Sequence, residues 1–208
     1  MDSTLGTKKQ QAPGERNSSR RDAREKILTA AYGLFASNGV VQVGIDTVIA
    51  KSGCAKASLY NQFGSKEGLA IAFLERRGAI WTRAWLEAEV VRRAEDPRER
   101  LLIIFDLFDA WFQQPDFEGC AFVKVLLETR HGTPVNRAAA DQLQQLREIL
   151  HDLAREAGFA EVGRFSQVWS MLMKGSVIAA REGNLSAARD ARAAAEILLA
   201  DWPLAAVS

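Results

Sequence analysis

Apolar residues recur along most of this chain at steps of three and four, the period of a helix with one buried face. The cleanest case lies in residues 135–157, where Ala139, Leu143, Leu146, Leu150, Leu153 and Ala157 alternate the two steps. Residues 161–181 carry Phe165, Val168, Trp169, Leu172, Ser176 and Ala179 in the same manner, and 186–201 carry Ala187, Ala191, Ala194, Ala195 and Leu198. Upstream, Ile27, Ala31, Leu34 and Phe35 predict a helix over 19–37, with Ser19 and Asp22 as a capping box and Asn38 and Gly39 as its stop. Residues 79–95 (Ile80, Trp81, Trp85, Val91) and 98–113 (Leu101, Ile104, Phe105, Phe108, Trp111, Phe112) predict two more helices. The second is apolar around much of its circumference and belongs in an interior. A short apolar helix is predicted over 120–130. Alternation of period two is absent, and Pro97, Pro115, Pro134 and Pro203 fall between periodic segments. The predicted fold class is all-α.

One stretch is more specific. In 45–52, Ile45, Val48, Ile49 and the small Ser52 share a face, and Gly53 follows directly. A glycine there can take positive φ and turn the chain within a few residues. A second helix then starts near Lys56. Its Leu59 and Phe63 point inward, leaving Lys56, Ser58, Tyr60, Asn61 and Gln62 outward. That surface offers donors, acceptors and a phenol, and no carboxylate. A helix approaching phosphates and base edges needs such a surface, because an acid there is repelled. Ser65 is placed to cap a further helix beginning at Lys66, with Leu69, Phe73 and Leu74 on its buried side.

Gly39, the 45–52 helix, Gly53, the run Lys56-Ala-Ser-Leu-Tyr60 and the run Phe63-Gly-Ser-Lys66-Glu-Gly-Leu69 together resemble the amino-terminal DNA-binding domain of TetR/AcrR-type transcriptional regulators, over roughly 20–70. The resemblance implies a three-helix helix-turn-helix domain followed by a helical effector-binding and dimerisation domain. It implies a cytoplasmic, non-enzymatic regulator, most often a repressor. Such a regulator binds a pseudo-palindromic double-stranded DNA operator as a homodimer and is released by a small apolar or amphipathic effector. The DNA contacts expected are Thr47, Lys56, Ala57, Ser58, Tyr60, Asn61, Gln62 and Lys66, with Asn61 and Gln62 on base edges and Tyr60 and Lys66 on phosphate. Two departures stand out. Val43 and Gly44 replace the usual Thr or Ser that caps the second helix, and Asn61 and Gln62 replace an aromatic residue and a histidine.

The expected organisation is a disordered tail over 1–18, a DNA-binding domain over 19–66, and a ligand-binding and dimerising domain over 67–208. Lys8, Lys9 and Arg16 make the tail either a basic arm or an untethered end. Arg20, Arg21 and Arg24 form either a phosphate-binding helix start or a solvated first turn. Residues 1–68 hold ten Lys/Arg against six Asp/Glu, and the remainder seventeen against twenty, so a net charge of +1 conceals a basic first third.

In the second domain Trp81, Trp85, Phe105, Phe108, Trp111, Phe112, Phe122, Trp169 and Met173 are the candidate lining of an apolar effector cavity; the alternative for each is packed core. The dimer face is expected on the last two long helices, where Gly175, Ser176, Ala179 and the alanines at 193–195 allow close approach. Lys124 and Glu128 are either ligand contacts or an i,i+4 surface pair, and His131 a ligand contact or a helix C-cap. Cys54 and Cys120 read as reduced, core-filling thiols. With two histidines and no Cys-x-x-Cys, His-Glu-x-x-His or phosphate-loop sequence, neither a metal nor another cofactor is expected, and no catalytic residue is assigned. No secretory signal or membrane-spanning run is read from the sequence. The competing reading is a ligand-binding helical protein that acts through a protein partner without specific DNA binding.

Overall fold

The computed structural model describes residues 13–206, with side chains from residue 20. Residues 1–12, with Lys8 and Lys9, and the side chains of Arg16 and Ser19 lie outside what is described. The chain is helical: α1 (Pro13–Asn38), α2 (Ile45–Ser52), α3 (Lys56–Phe63), α4 (Lys66–Arg77), α5 (Ala88–Arg93), α6 (Pro97–Phe112), α7 (Ala121–Glu128), α8 (Pro134–Glu156), α9 (Val162–Arg181) and α10 (Ala187–Asp201).

Helix α1 begins at Pro13, so Ser19 lies inside it and not at its start. Periodicity marks only the part of a helix that buries a face, and the polar residues before Arg20 give no such mark. The helix from Lys66 and the helix over 79–95 are continuous: α4 runs on through a π-helical segment (Gly78–Glu87) into α5, with Gly78 itself helical at φ −60. The glycine serves close packing: a Cβ at 78 would stand 1.8 Å from Oε1 of Gln142 on α8.

Several ends follow from local chemistry. Gly53 closes α2 at φ +65, its N–H bonded to Ile49 O. Ser65, Asp96 and Thr133 cap α4, α6 and α8 through their side chains, and Pro97 and Pro134 occupy first-turn positions where no N–H is needed. After α10 the chain turns back: Trp202 Nε1 donates to Ala160 O at 2.8 Å, and Phe159 and Leu204 form a single antiparallel bridge.

Two apolar cores result. One gathers α5, α6, the second half of α8, α9 and α10 around Phe105, Leu150, Phe165 and Trp169. The other gathers α1 to α4 around Ile27, Phe35, Leu59 and Phe73, and takes in Phe122 and Val125 of α7 with Val135, Ala139 and Leu143 of α8. The core beneath α2 and α3 therefore extends beyond residue 66 and is shared with α7 and the start of α8. Among the described residues no helix is long and apolar enough to cross a membrane.

Candidate functional site

The α2–turn–α3 unit is held from behind. Val48 and Leu59 are fully buried, Phe63 is half-buried under the Arg24 guanidinium at 5.2 Å, and α1 and α4 pack on the same side. This leaves Thr47, Lys56, Ala57, Tyr60 and Asn61 exposed and Ser58, Gln62 and Lys66 half-exposed, so the eight expected DNA contacts are all reachable from solvent. Gly44, immediately before α2, gives the helix no side-chain cap, as the missing hydroxyl implies.

Two lysines already have partners. The Lys56 ammonium lies 2.8 Å from the Asp46 carboxylate, whose hydrogen bond and charge hold it above the ordinary lysine value. Lys66 Nζ donates to Val41 O at 3.1 Å, tying the start of α4 to the turn before α2.

A second feature lies where this unit meets the rest of the chain. Trp81, Trp85 and Trp111 form a contiguous row, with centroids 4.7 Å apart for Trp81–Trp85 and 4.6 Å for Trp81–Trp111. They line a cleft of about 760 Å³ whose opposite wall is the second half of α1, at Tyr32, Gly33, Ala36 and Ser37. That size suits a small organic molecule. Arg77 is the half-buried charge in the wall. Its Nη1 donates to Tyr32 Oη at 2.9 Å, and it lies 5.7 and 5.9 Å from the Tyr32 and Trp81 rings. Arg93, also in the lining, is paired with Glu89 at 3.0 Å.

The other expected cavity residues are placed differently. Phe105, Phe108, Phe112, Trp169 and Met173 are buried in the α5–α10 core, with Trp169 stacked on Phe165 at 5.2 Å. Phe122 belongs to the other core. None of the six lines this cleft. An apolar residue on a helical stripe reads the same whether it faces core or cleft, so periodicity could not separate them. Tyr32 and Arg77 were missed. The available signal was the four-residue step from Arg77 to Trp81, which puts cation and indole on one face.

Helix α7 bridges the two parts. Lys124 Nζ donates to Ala36 O at 3.3 Å and Ser37 O at 2.8 Å, and Glu128 Oε1 accepts from Val40 N–H at 2.7 Å. The expected Lys124–Glu128 surface pair is thus replaced by a grip on the end of α1. His131 is exposed and lies beyond the end of α7, which Thr129 terminates, so it caps nothing. Burial pushes the Cys120 thiol up, against weaker opposing contributions from backbone N–H groups. Among the described residues no cluster of His, Cys, Asp or Glu is arranged to hold a metal.

Comparison with known proteins bears on this arrangement. The model of bacterial regulatory proteins of the tetR family matches residues 27–73, which contain α2, α3, the second half of α1 from Ile27 and most of α4. The HTH-type transcriptional regulator LmrA of Bacillus subtilis is 29% identical over 163 residues, spanning 76% of this chain and 85% of LmrA. Residues 27–73 thus carry a TetR-family DNA-binding region, and the chain is similar over most of its length to an HTH-type transcriptional regulator. Its fold agrees with SCO4454, a TetR-family transcriptional regulator from Streptomyces coelicolor: TM-score 0.78, 23% identity, 87% of this chain and 96% of that one. The reduced form of Escherichia coli NemR agrees similarly, with TM-score 0.73, 24% identity, and 85% and 97% coverage. At these identities the likeness concerns the fold. The relatives are named as transcriptional regulators and not as enzymes.

Proposed function

We propose that this chain is a TetR-type homodimeric repressor that binds a two-fold-related DNA site and releases it when a small molecule enters the cleft beside Trp81, Trp85 and Trp111. The observation that carries the reading is the composition of the cleft. One wall belongs to the π-helical segment and α6, the other to α1. A bound molecule would touch α1 directly, and α1 underlies α2 and α3 through the shared core.

On DNA, α3 enters the major groove. Asn61 and Gln62 read base edges, Tyr60 and Lys66 engage phosphates, and Thr47, Lys56, Ala57 and Ser58 complete the contact. The dimer forms through α9 and α10. Met171 and Ile178 on α9 and Ile197 on α10 are at least half exposed in the single chain, which favours burial against a second copy. Two-fold pairing sets the α3 helices about 34–36 Å apart, one turn of duplex. A ligand preferring another separation of the α1 wall and the tryptophan row shifts the population away from that spacing, and operator affinity falls.

The test is release. Small aromatic compounds are screened for displacement of the protein from a duplex it binds, and displacement is remeasured in Trp81→Ala/Trp111→Ala. The expected result is unchanged DNA affinity with displacement lost. Equal displacement from the double variant would move the effector site elsewhere.

A further inference from the structure

We infer that the cleft is built for a flat aromatic acid, its rings against the Trp81–Trp85–Trp111 row and its carboxylate on Arg77. This rests on the cleft being the effector site. Three half-buried indoles line the cleft, Trp81 touching both Trp85 and Trp111, and so large an aromatic lining is matched best by another planar ring system.

The charge is decided by depth. Arg77 is half-buried, and among the described residues its one hydrogen-bond partner is the neutral Tyr32 hydroxyl. It has no carboxylate within ion-pair distance there. The other cation of the lining, Arg93, is already matched by Glu89. The acids of the lining, Asp116 and Glu118, sit on the exposed loop between α6 and α7, and Glu118 faces Arg181 at 3.8 Å.

A ligand that covers the indole row also takes water from Arg77. Desolvating a guanidinium without a counter-charge is costly, and an incoming cation would add repulsion to that cost. A carboxylate turns the same burial into a charge-assisted, two-point contact, for which the guanidinium fork is suited.

The experiment uses the full chain and three probes sharing one ring system: a naphthalene carboxylate, the matching naphthalene carboxamide, and a naphthylmethylammonium. Binding is followed by indole fluorescence and calorimetry. The carboxylate is expected to bind at least tenfold tighter than the carboxamide, and the ammonium most weakly. Arg77→Met is expected to weaken the carboxylate at least tenfold while leaving the carboxamide within about twofold, which also certifies an intact indole wall. If Arg77→Met does not fold, the ranking on the unaltered protein decides. Carboxamide or ammonium binding as tight as the carboxylate, or carboxylate binding indifferent to Arg77→Met, overturns the acid assignment and leaves the effector cleft standing. No binding of any probe, or binding unaffected by Trp81→Ala/Trp111→Ala, overturns both.

Discussion

Glu128 and Val40 are 88 positions apart in sequence, yet the Glu128 carboxylate accepts the Val40 N–H at 2.7 Å. Beside it Gly39 takes φ +82, and a Cβ on Gly39 would stand 2.4 Å from Glu128 Oε2. Lys124, one turn earlier on α7, caps the last carbonyls of α1. One short helix therefore holds both the acceptors and the first free donor at the end of α1, where a helix leaves such groups unsatisfied. Glu128→Ala should cost about 1–3 kcal/mol in urea unfolding, since it strands a part-buried N–H and removes a charge-assisted bond. Glu128→Gln should recover much of that loss. An unchanged midpoint for Glu128→Ala would mean that α7 does not hold α1 in solution.

Gly68 offers a case where sterics oppose propensity. It lies in the first turn of α4, where alanine is intrinsically the better helix former by about 1 kcal/mol. A Cβ there would stand 2.0 Å from the backbone carbonyl of Phe63, an atom that cannot swing aside. Gly68→Ala should therefore destabilise the chain by about 1–3 kcal/mol, as overpacking does. Thermal unfolding decides the sign, and a gain in stability would refute the close α3–α4 approach.

Asp46 places a carboxylate on the surface proposed to face DNA. Asp46→Asn frees Lys56 and removes a negative charge beside the phosphates. Affinity should rise at low salt and the salt slope should steepen by about one counterion. The same change removes an acid from the first turn of α2, costing about 0.3–1 kcal/mol of stability. Binding isotherms at several salt concentrations measure the first effect, and weaker binding would remove this pair from the DNA face.

Lys66 and Asn61 should fail in different ways. Lys66→Ala should weaken every duplex alike and lower the salt slope by about one. Asn61→Ala should relax preference at one or two base positions. Uniform weakening by Asn61→Ala, or an unchanged slope for Lys66→Ala, would exchange or cancel these roles.

Burial raises the Cys120 thiol's pKa, so the thiol stays protonated at neutral pH and is a poor nucleophile. Iodoacetamide should label it slowly in the native protein and rapidly after denaturation. The native rate should climb as pH rises above the free-thiol range. Fast native labelling at pH 7 would contradict a buried, protonated thiol.

The helices and the turn at Gly53 were legible because each leaves a local trace: a repeat, a cap, a proline or a glycine. The surface of α3 was legible for the same reason, since Leu59 and Phe63 fix which side faces out. What could not be read was long-range. Nothing local distinguishes Phe122, buried against α1 and α4, from Trp111, which lines the cleft. Lys124 and Glu128 have the spacing of a surface pair, and only the fold brings α1 within their reach. The reason for a glycine at 78 appears only when Gln142 is placed beside it.

The most direct measurement is selection of bound duplexes from a randomised pool by the full chain, with affinity for the selected duplex taken at two salt concentrations. Enrichment of a two-fold-related sequence with half-sites about one helical turn apart is expected, with a steep loss of affinity with salt. Salt-sensitive binding with no enriched sequence would leave only attraction between a basic surface and phosphate, and would contradict sequence reading by α3.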